Sequence, residues 1–496
     1  MQIQLDTDCE EIAAPFITKL PSLSAQDFSA EPIRSDTFAL TGCLGTFYSA
    51  PSIIKAWSDP CTLGQATRFK AVPGPEKPCA ATPATRCIGF LCLVLEGGSW
   101  KIWVLRTVLE QLEGCENVDF LWPKTTVNGE SEIPDTNTNR LVKIARAGAE
   151  TDLIDCVIVG AGNAGLSCGG RLQALGVNYI ILEKDSQIGA SWVKRYKSAR
   201  LHTQRETNHL PFNRTFSDTC SEYPTKDELV EGHRRWAHEY GIYEHIWFET
   251  ALGRGSWDPA KQSWTLRISA FGVPEMITTR AVIMAVGSGG QIPIVPQFTG
   301  QADVEGTLIH SADHWSAESW KGKAGVVISS CPAKSFAKVN SKSYNANIET
   351  HVADPAAYSM PNAGRYGDVG CAKLSADGKI KMKSGPAMTR FTPDGLAFSD
   401  GSELSADIVV LCTGFVGNMR VTIEQIFGKE VAGEVGDIWG VNEGGEVRGA
   451  YRRTGDPAMW CMSGGLAMTR YFSRHVALQI KVLVMGSPLA RYTRGQ

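Results

Sequence analysis

The chain has 496 residues, of which 43% are hydrophobic and 50 are glycine, and 49 basic against 52 acidic residues leave a formal net charge of −3. A single core stops growing near roughly 250–300 residues, so two or three domains are expected. The near-neutral balance excludes a broad electrostatic pull towards nucleic acid or anionic membrane and leaves small-molecule chemistry as the default.

Acids occupy the first eight residues, where a signal peptide needs a basic region. The most apolar stretch, residues 87–95, is far shorter than the roughly 20 residues of a spanning helix, so no transmembrane segment is expected. Fourteen cysteines stand without a CxxC pair or a zinc-type quartet. They read as reduced thiols of a cytoplasmic protein, with no metal site.

Residues 1–125 read as a small α+β domain. Two strand-like runs, 87–95 and 100–105, flank Gly97 and Gly98, which predicts a β-hairpin. Upstream, 37–40 and 46–48 read as strands and 53–57 as a short helix. The mixture of Asn, Thr, Gly, Glu, Ser and Pro between 123 and 139 has the make-up of a linker, placed at 126–150.

From Asp155 the pattern becomes strand, glycine turn, helix, strand. The run 156–159 is continuously apolar, as a buried parallel strand is, 163–175 has helical spacing, and 179–182 is a second strand. Gly160 supplies a tight turn, Gly162 close approach to a pyrophosphate, and Gly165 close packing of helix on sheet. The helix N-terminus turns unpaired N–H groups to the phosphates. Glu183, ending the second strand, is placed to accept hydrogen bonds from an adenosine ribose. The runs 264–268, 281–286, 325–328 and 407–412 read as further strands of a large nucleotide fold. The fingerprint alone does not separate FAD from NAD.

The segment after Glu183 does. Gly189 and Trp192, then Tyr196, Leu201-His202, His209-Leu210-Pro211-Phe212 and Tyr223-Pro224-Thr225, resemble the flavin-containing monooxygenases, and among them the YUCCA-type branch and its fungal relatives. Two strand ends, 284–287 and 410–415, are similar to the points where that family passes between its nucleotide domains. The residues around Trp460, Gly464-Gly465 and 470–474 resemble the segment that closes over the flavin. Residues 1–125 resemble the NTF2-like extension of fungal members. The implied architecture is α/β: a two-dinucleotide-binding-domain, Rossmann-like flavoprotein preceded by a small α+β domain. Its parts are 151–290 and 386–496 for FAD, with a shortened NAD(P)H-binding-like domain at 291–385.

The resemblance implies FAD held by Gly160, Gly162, Gly165 and Glu183, with Trp192 beside the flavin and Thr413 and Gly414 near it. It also implies that NADPH reduces the FAD and that O2 forms a C4a-(hydro)peroxyflavin, which passes one oxygen atom to a small organic metabolite, in the manner of secondary metabolism. The hard chemistry belongs to the cofactor, so no catalytic triad or metal cluster is required. Asn208 is the candidate hydrogen-bond donor near flavin N5, and His202 the second. His310, four residues after Gly306, keeps the spacing of the family's FxGxxxH signature and would link the domains and sense NADPH, although Val304 stands where that signature has Phe.

One departure is larger. Where the family carries a second glycine fingerprint for NADPH, the strand 325–328 runs into Ser329, Ser330, Cys331, Pro332, Ala333 and Lys334. Side chains at Ser329, Cys331 and Lys334 oppose close approach of a pyrophosphate. Asp354, after the next predicted strand, would repel a 2′-phosphate, so NADH is the alternative donor. The 330–370 stretch is also short for the family. Three readings stay open: a monooxygenase, an FAD oxidase or dehydrogenase that needs no nicotinamide, and a flavin-binding scaffold whose N-terminal domain supports homo-oligomerisation.

Overall fold

The computed structural model describes residues 9–41, 43–63, 79–82, 85–124, 153–287, 292–329, 377, 381, 383, 387–442, 444–454 and 458–486. The linker 126–150, residues 330–334, Asp354 and the shortened stretch up to 370 lie outside them.

The first unit opens with helix α1 (Cys9–Lys19), strands β1 (Phe28–Thr37) and β2 (Leu44–Tyr48), and helix α2 (Ala50–Leu63). Strands β3 (Cys79–Thr82), β4 (Thr85–Glu96) and β5 (Ser99–Leu112) complete a sheet of order β2-β1-β5-β4-β3. The β4–β5 hairpin turns at Gly97 and Gly98, both at positive φ, the conformation that suits strand twist in a tight hairpin. The strand expected at 37–40 ends at Thr37. Phe38 turns out of it at φ 60°, and the Asp36 carboxylate caps that turn by accepting from the Thr41 N–H at 2.9 Å. Beside it the buried Arg34 guanidinium lies between the Phe47 and Trp57 rings, 3.5 Å from Asp36.

The second unit is built on β6 (Ile154–Val159), α3 (Asn163–Ala174) and β7 (Tyr179–Leu182), within a residue or two of the expected spans. A short helix, α4 (Ala190–Val193), is followed by α5 (Lys226–Glu239), which starts in a capping box between Thr225 and Glu228. Next come β8 (Ile246–Trp247), β9 (Thr250–Asp258), β10 (Ser263–Ala270) and β11 (Val273–Met284). The runs at 264 and 281 are strands, as expected, but β9, β10 and β11 form an antiparallel meander. Only the end of β11 pairs in parallel, with β6 from Thr279 to Met284 and with a late strand from Val282 to Met284.

The third part contains β12 (Thr307–His310), β13 (Gly325–Ser329), a hairpin sheet of β14 (Met388–Thr392), β15 (Gly395–Phe398) and β16 (Glu403–Ser405), and β17 (Ile408–Cys412). β12 and β13 flank β17, all three parallel. Helix α6 (Met419–Val435), strand β18 (Met459–Cys461) beside β11, and helix α7 (Leu466–Val484) return the chain to the second unit.

One core runs through the first two units. Phe38, Leu109, Leu112 and Val118 share a buried cluster with Leu166, Leu172, Val476 and Ile480. Each such side chain contributes roughly 1.5–3 kcal/mol on full burial, so this seam is a packed interface. No helix among the described residues is long and apolar enough to cross a membrane.

Candidate cofactor site

The turn after β6 is shaped by contacts that only glycine permits. Gly160 sits at φ 106°, donates to the Leu182 carbonyl at 2.7 Å, and a Cβ there would lie 2.7 Å from the Ala285 carbonyl oxygen. At Gly165 a Cβ would lie 1.8 Å from the Gly160 carbonyl oxygen, so helix α3 rests directly on the turn. Gly162 differs: nothing among the described residues lies within 4 Å of the Cβ position. As N-cap of α3 it brings no side chain to the first helical N–H groups. Open space facing unpaired N–H groups is what an anionic pyrophosphate requires.

Glu183 follows β7. Its carboxylate accepts from the Ala161 N–H at 2.8 Å and the Asp185 N–H at 3.0 Å, which leaves further lone pairs for ribose hydroxyls. Burial raises its pKa above the ordinary carboxylate range, and the two N–H groups oppose that shift. The open approach at Gly162 and the half-buried acid beside it fit a dinucleotide. Asn163, at the first position of α3, donates to the Thr469 hydroxyl on α7 at 2.8 Å. That brace between the phosphate turn and the last helix was not among the expected site residues; its signal was a polar side chain between two fingerprint glycines.

Trp192, on α4, is half-buried against Leu201, Phe216, Leu229 and Leu466. His202 is exposed at the edge of this cluster. Asn208 is buried, and both of its amide N–H groups are committed, to the Thr203 carbonyl at 3.0 Å and the Gln204 carbonyl at 2.9 Å. Its oxygen accepts from the Thr203 hydroxyl at 2.9 Å. In this conformation Asn208 has no N–H left for a flavin, which corrects the expected donor role: it braces its own loop. A sequence does not show whether a turn asparagine is already satisfied.

Thr413 and Gly414 follow β17 where the chain passes back between units. The Thr413 hydroxyl donates to the Ile294 carbonyl, the Ile294 N–H donates to Gly414 at 2.9 Å, and the Val416 N–H donates to Ile292 at 2.8 Å. The outgoing and returning connections are thus clasped together. His310 ends β12, buried, with Nδ1 accepting from the Ala312 N–H at 3.1 Å. Its ring meets Phe415 edge-on at 5.6 Å, and the Arg195 guanidinium lies 5.7 Å from the same Phe415 ring. His310 Nε2 is buried without a hydrogen-bond partner among the described residues.

The segment expected to close over the flavin divides in two. Its glycines, Gly464 and Gly465, lead into α7 near Asn163, whereas Tyr471, Arg474 and His475 face the first unit and Phe472 stacks on Tyr451. Arg474 binds the Glu110 carboxylate through two nitrogens, Arg106 donates to the Tyr471 hydroxyl at 3.4 Å, and His475 stacks on Phe38 at 5.5 Å. The first unit therefore occupies that face of α7. Burial pushes the Cys168 thiol well up and Cys461 to about 12, so both are core thiols and not nucleophiles. No cluster of metal-ligating side chains occurs among the described residues.

The profile of the family described as "Pyridine nucleotide-disulphide oxidoreductase" matches residues 157–330. The chain is 25% identical over 327 residues to a probable indole-3-pyruvate monooxygenase, YUCCA9, of Arabidopsis thaliana, covering 54% of this chain and 76% of the relative. It is 27% identical over 182 residues to the FAD-binding monooxygenase ktnD of Aspergillus niger, covering 34% of this chain and 30% of the relative. In fold it resembles a flavin-containing monooxygenase from Stenotrophomonas maltophilia, with a TM-score of 0.50 at 21% identity over 67% of this chain and all of that one. The glycine turn, Glu183 and these similarities agree: residues 157–330 match the pyridine nucleotide-disulphide oxidoreductase model, and the chain is similar in sequence to FAD-binding and indole-3-pyruvate monooxygenases.

Proposed function

We propose that this protein is an FAD-dependent monooxygenase that transfers one oxygen atom from O2 to a small organic metabolite, with a reduced nicotinamide as electron donor. The observation that carries the reading is the cradle formed by the unobstructed N–H groups at Gly162 and the half-buried carboxylate of Glu183. Bound FAD would supply the redox and oxygen chemistry. The chain's own residues hold and enclose it. The α3 N-terminus faces the pyrophosphate, Glu183 takes the ribose, and Trp192 with Leu201 and Leu466 forms an apolar wall that excludes water. Asn208 fixes the loop 203–208 beside that wall. Buried His310, against Phe415 at the crossover, is the residue through which the third part would act on the site.

Without oxygen, addition of NADPH or NADH should bleach the visible absorbance of the purified flavoprotein, and readmission of air should restore it. The glycine-poor turn at 329–334 supports a second reading, an oxidase that draws electrons from its own substrate. Bleaching by substrate alone, with neither nucleotide effective, would select the oxidase and end the monooxygenase reading. Resistance to every reductant at a useful rate would leave a binding scaffold.

A further inference from the structure

The seam between the first unit and the last helix contains a cleft of about 580 Å³. That volume suits a small metabolite and exceeds what a single ion needs. Four guanidiniums line it, from Arg171, Arg214, Arg470 and Arg474, against two carboxylates, Glu110 and Asp119.

The pairing is uneven. Arg474 takes both oxygens of Glu110 and lies 2.9 Å from Asp119. Arg171 holds the other Asp119 oxygen at 2.5 Å and donates to the Val118 carbonyl at 2.8 Å. Arg214 pairs with Glu206 at 2.7 Å and Asp218 at 2.8 Å. The guanidinium of Arg470, a half-buried residue, has no hydrogen bond or ion pair among the described residues. Arg171 Nε is a second buried donor without a hydrogen-bond acceptor among them. A crowd of cations facing one space is unfavourable unless an anion enters it. Burial depresses the Arg171 pKa, Asp119 opposes that shift, and the charges of Arg474 and Arg470 add to it. Phe212, with the Arg171 guanidinium over its ring, and Tyr471 also line the cleft.

We propose that this cleft binds a small organic anion, with its carboxylate or phosphate group held by Arg470 and its apolar body against Phe212 and Tyr471. Guanidinium presents a planar pair of donors that matches either oxyanion. The ligand would touch the first unit, helix α3 and helix α7 together. Asn163 and Arg171 lie on one helix, eight residues or about 12 Å apart, so α3 connects the cleft with the dinucleotide turn. This gives the first unit a role in recognition.

The full-length flavoprotein is titrated at constant ionic strength with benzoate, phenyl phosphate and the neutral benzamide, and binding is read by calorimetry and melting temperature. At least one anion should bind saturably and raise the melting temperature, with benzamide inert. Preference for benzoate identifies a carboxylate ligand, and preference for phenyl phosphate a phosphorylated one. Arg470→Met should weaken the preferred anion at least tenfold. Unchanged affinity in that variant, or no anion bound better than benzamide, overturns the proposal. A second measurement does not depend on the variant's folding: affinity in the unaltered protein should fall several-fold with rising chloride. Salt-independent binding overturns the proposal equally. The readout is binding and heat stability, so its failure leaves the flavin reading standing.

Discussion

A single methyl group placed at Gly162 or at Gly165 separates cofactor binding from folding. Gly162 has φ −77° and ψ −174°, backbone that any residue adopts, and no neighbour lies within 4 Å of its Cβ position among the described residues. Gly162→Ala should therefore change the stability of the apoprotein by no more than about 0.5 kcal/mol. The same methyl projects into the approach a pyrophosphate must use, so FAD should bind at least about tenfold more weakly, roughly 1.4 kcal/mol. At Gly165 the balance reverses. The new Cβ would lie 1.8 Å from a backbone oxygen where ordinary contact begins at 3.4 Å, so turn and helix must separate by more than an ångström. Overpacking against backbone costs about 3 kcal/mol or more, and Gly165→Ala should melt well below the parent with or without flavin. The assay is paired: flavin absorbance per mole of purified protein, and the melting temperature of apoprotein stripped of flavin. Full flavin content in Gly162→Ala, or a parental melting temperature in Gly165→Ala, would refute this account of the turn.

His233, fully buried on α5 beside Phe216 without a hydrogen-bond partner among the described residues, has its pKa lowered by burial from 6.5 to about 4. The unfolded chain therefore takes up the proton first as pH falls. Stability should drop between pH 6.5 and 4 by up to about 3 kcal/mol and then level off. In His233→Phe that portion of the urea-midpoint dependence on pH should vanish; an unaltered slope refutes the assignment. Arg474→Met strands Glu110 and part of Asp119 at the partly solvated seam, and losing these charge-assisted hydrogen bonds costs about 2 kcal/mol. The variant should release the first unit to limited proteolysis, and a digestion pattern identical to the parent's would contradict this. Thr413→Val removes the hydroxyl that donates to Ile294 and should lower stability by about 1 kcal/mol, with flavin content retained. Loss of flavin in that variant would mean that Thr413 contacts the cofactor directly.

Much of the second unit was legible in the sequence because its signals are local. The run into Val159, the glycines at 160, 162 and 165, and the acid at 183 each follow from what one strand, one turn and one helix end require, and α3 and β7 lie where the spacing placed them. The hairpin at Gly97 and Gly98 was legible for the same reason. The direction of β10 was not, because an apolar strand reads alike whether its partner runs parallel or antiparallel. Asn208 shows the limit for a site residue: its type permits donation to a ligand, and only the positions of the Thr203 and Gln204 carbonyls decide that its donors are spent.

What the sequence determined by itself, then, is the glycine turn with its terminal acid and the family resemblance they signal. Backbone geometry at glycine and charge at the end of a strand are properties of short segments. The tertiary structure decided the rest. Arg474 is committed to the first unit because Glu110 and Asp119, more than 350 positions away in the chain, arrive beside it. The Arg470 guanidinium has no partner among the described residues, where those carboxylates are already taken by Arg171 and Arg474. Such pairings depend on which surfaces the hydrophobic core of Phe38, Leu109, Leu172 and Val476 brings together, and no local pattern encodes that meeting.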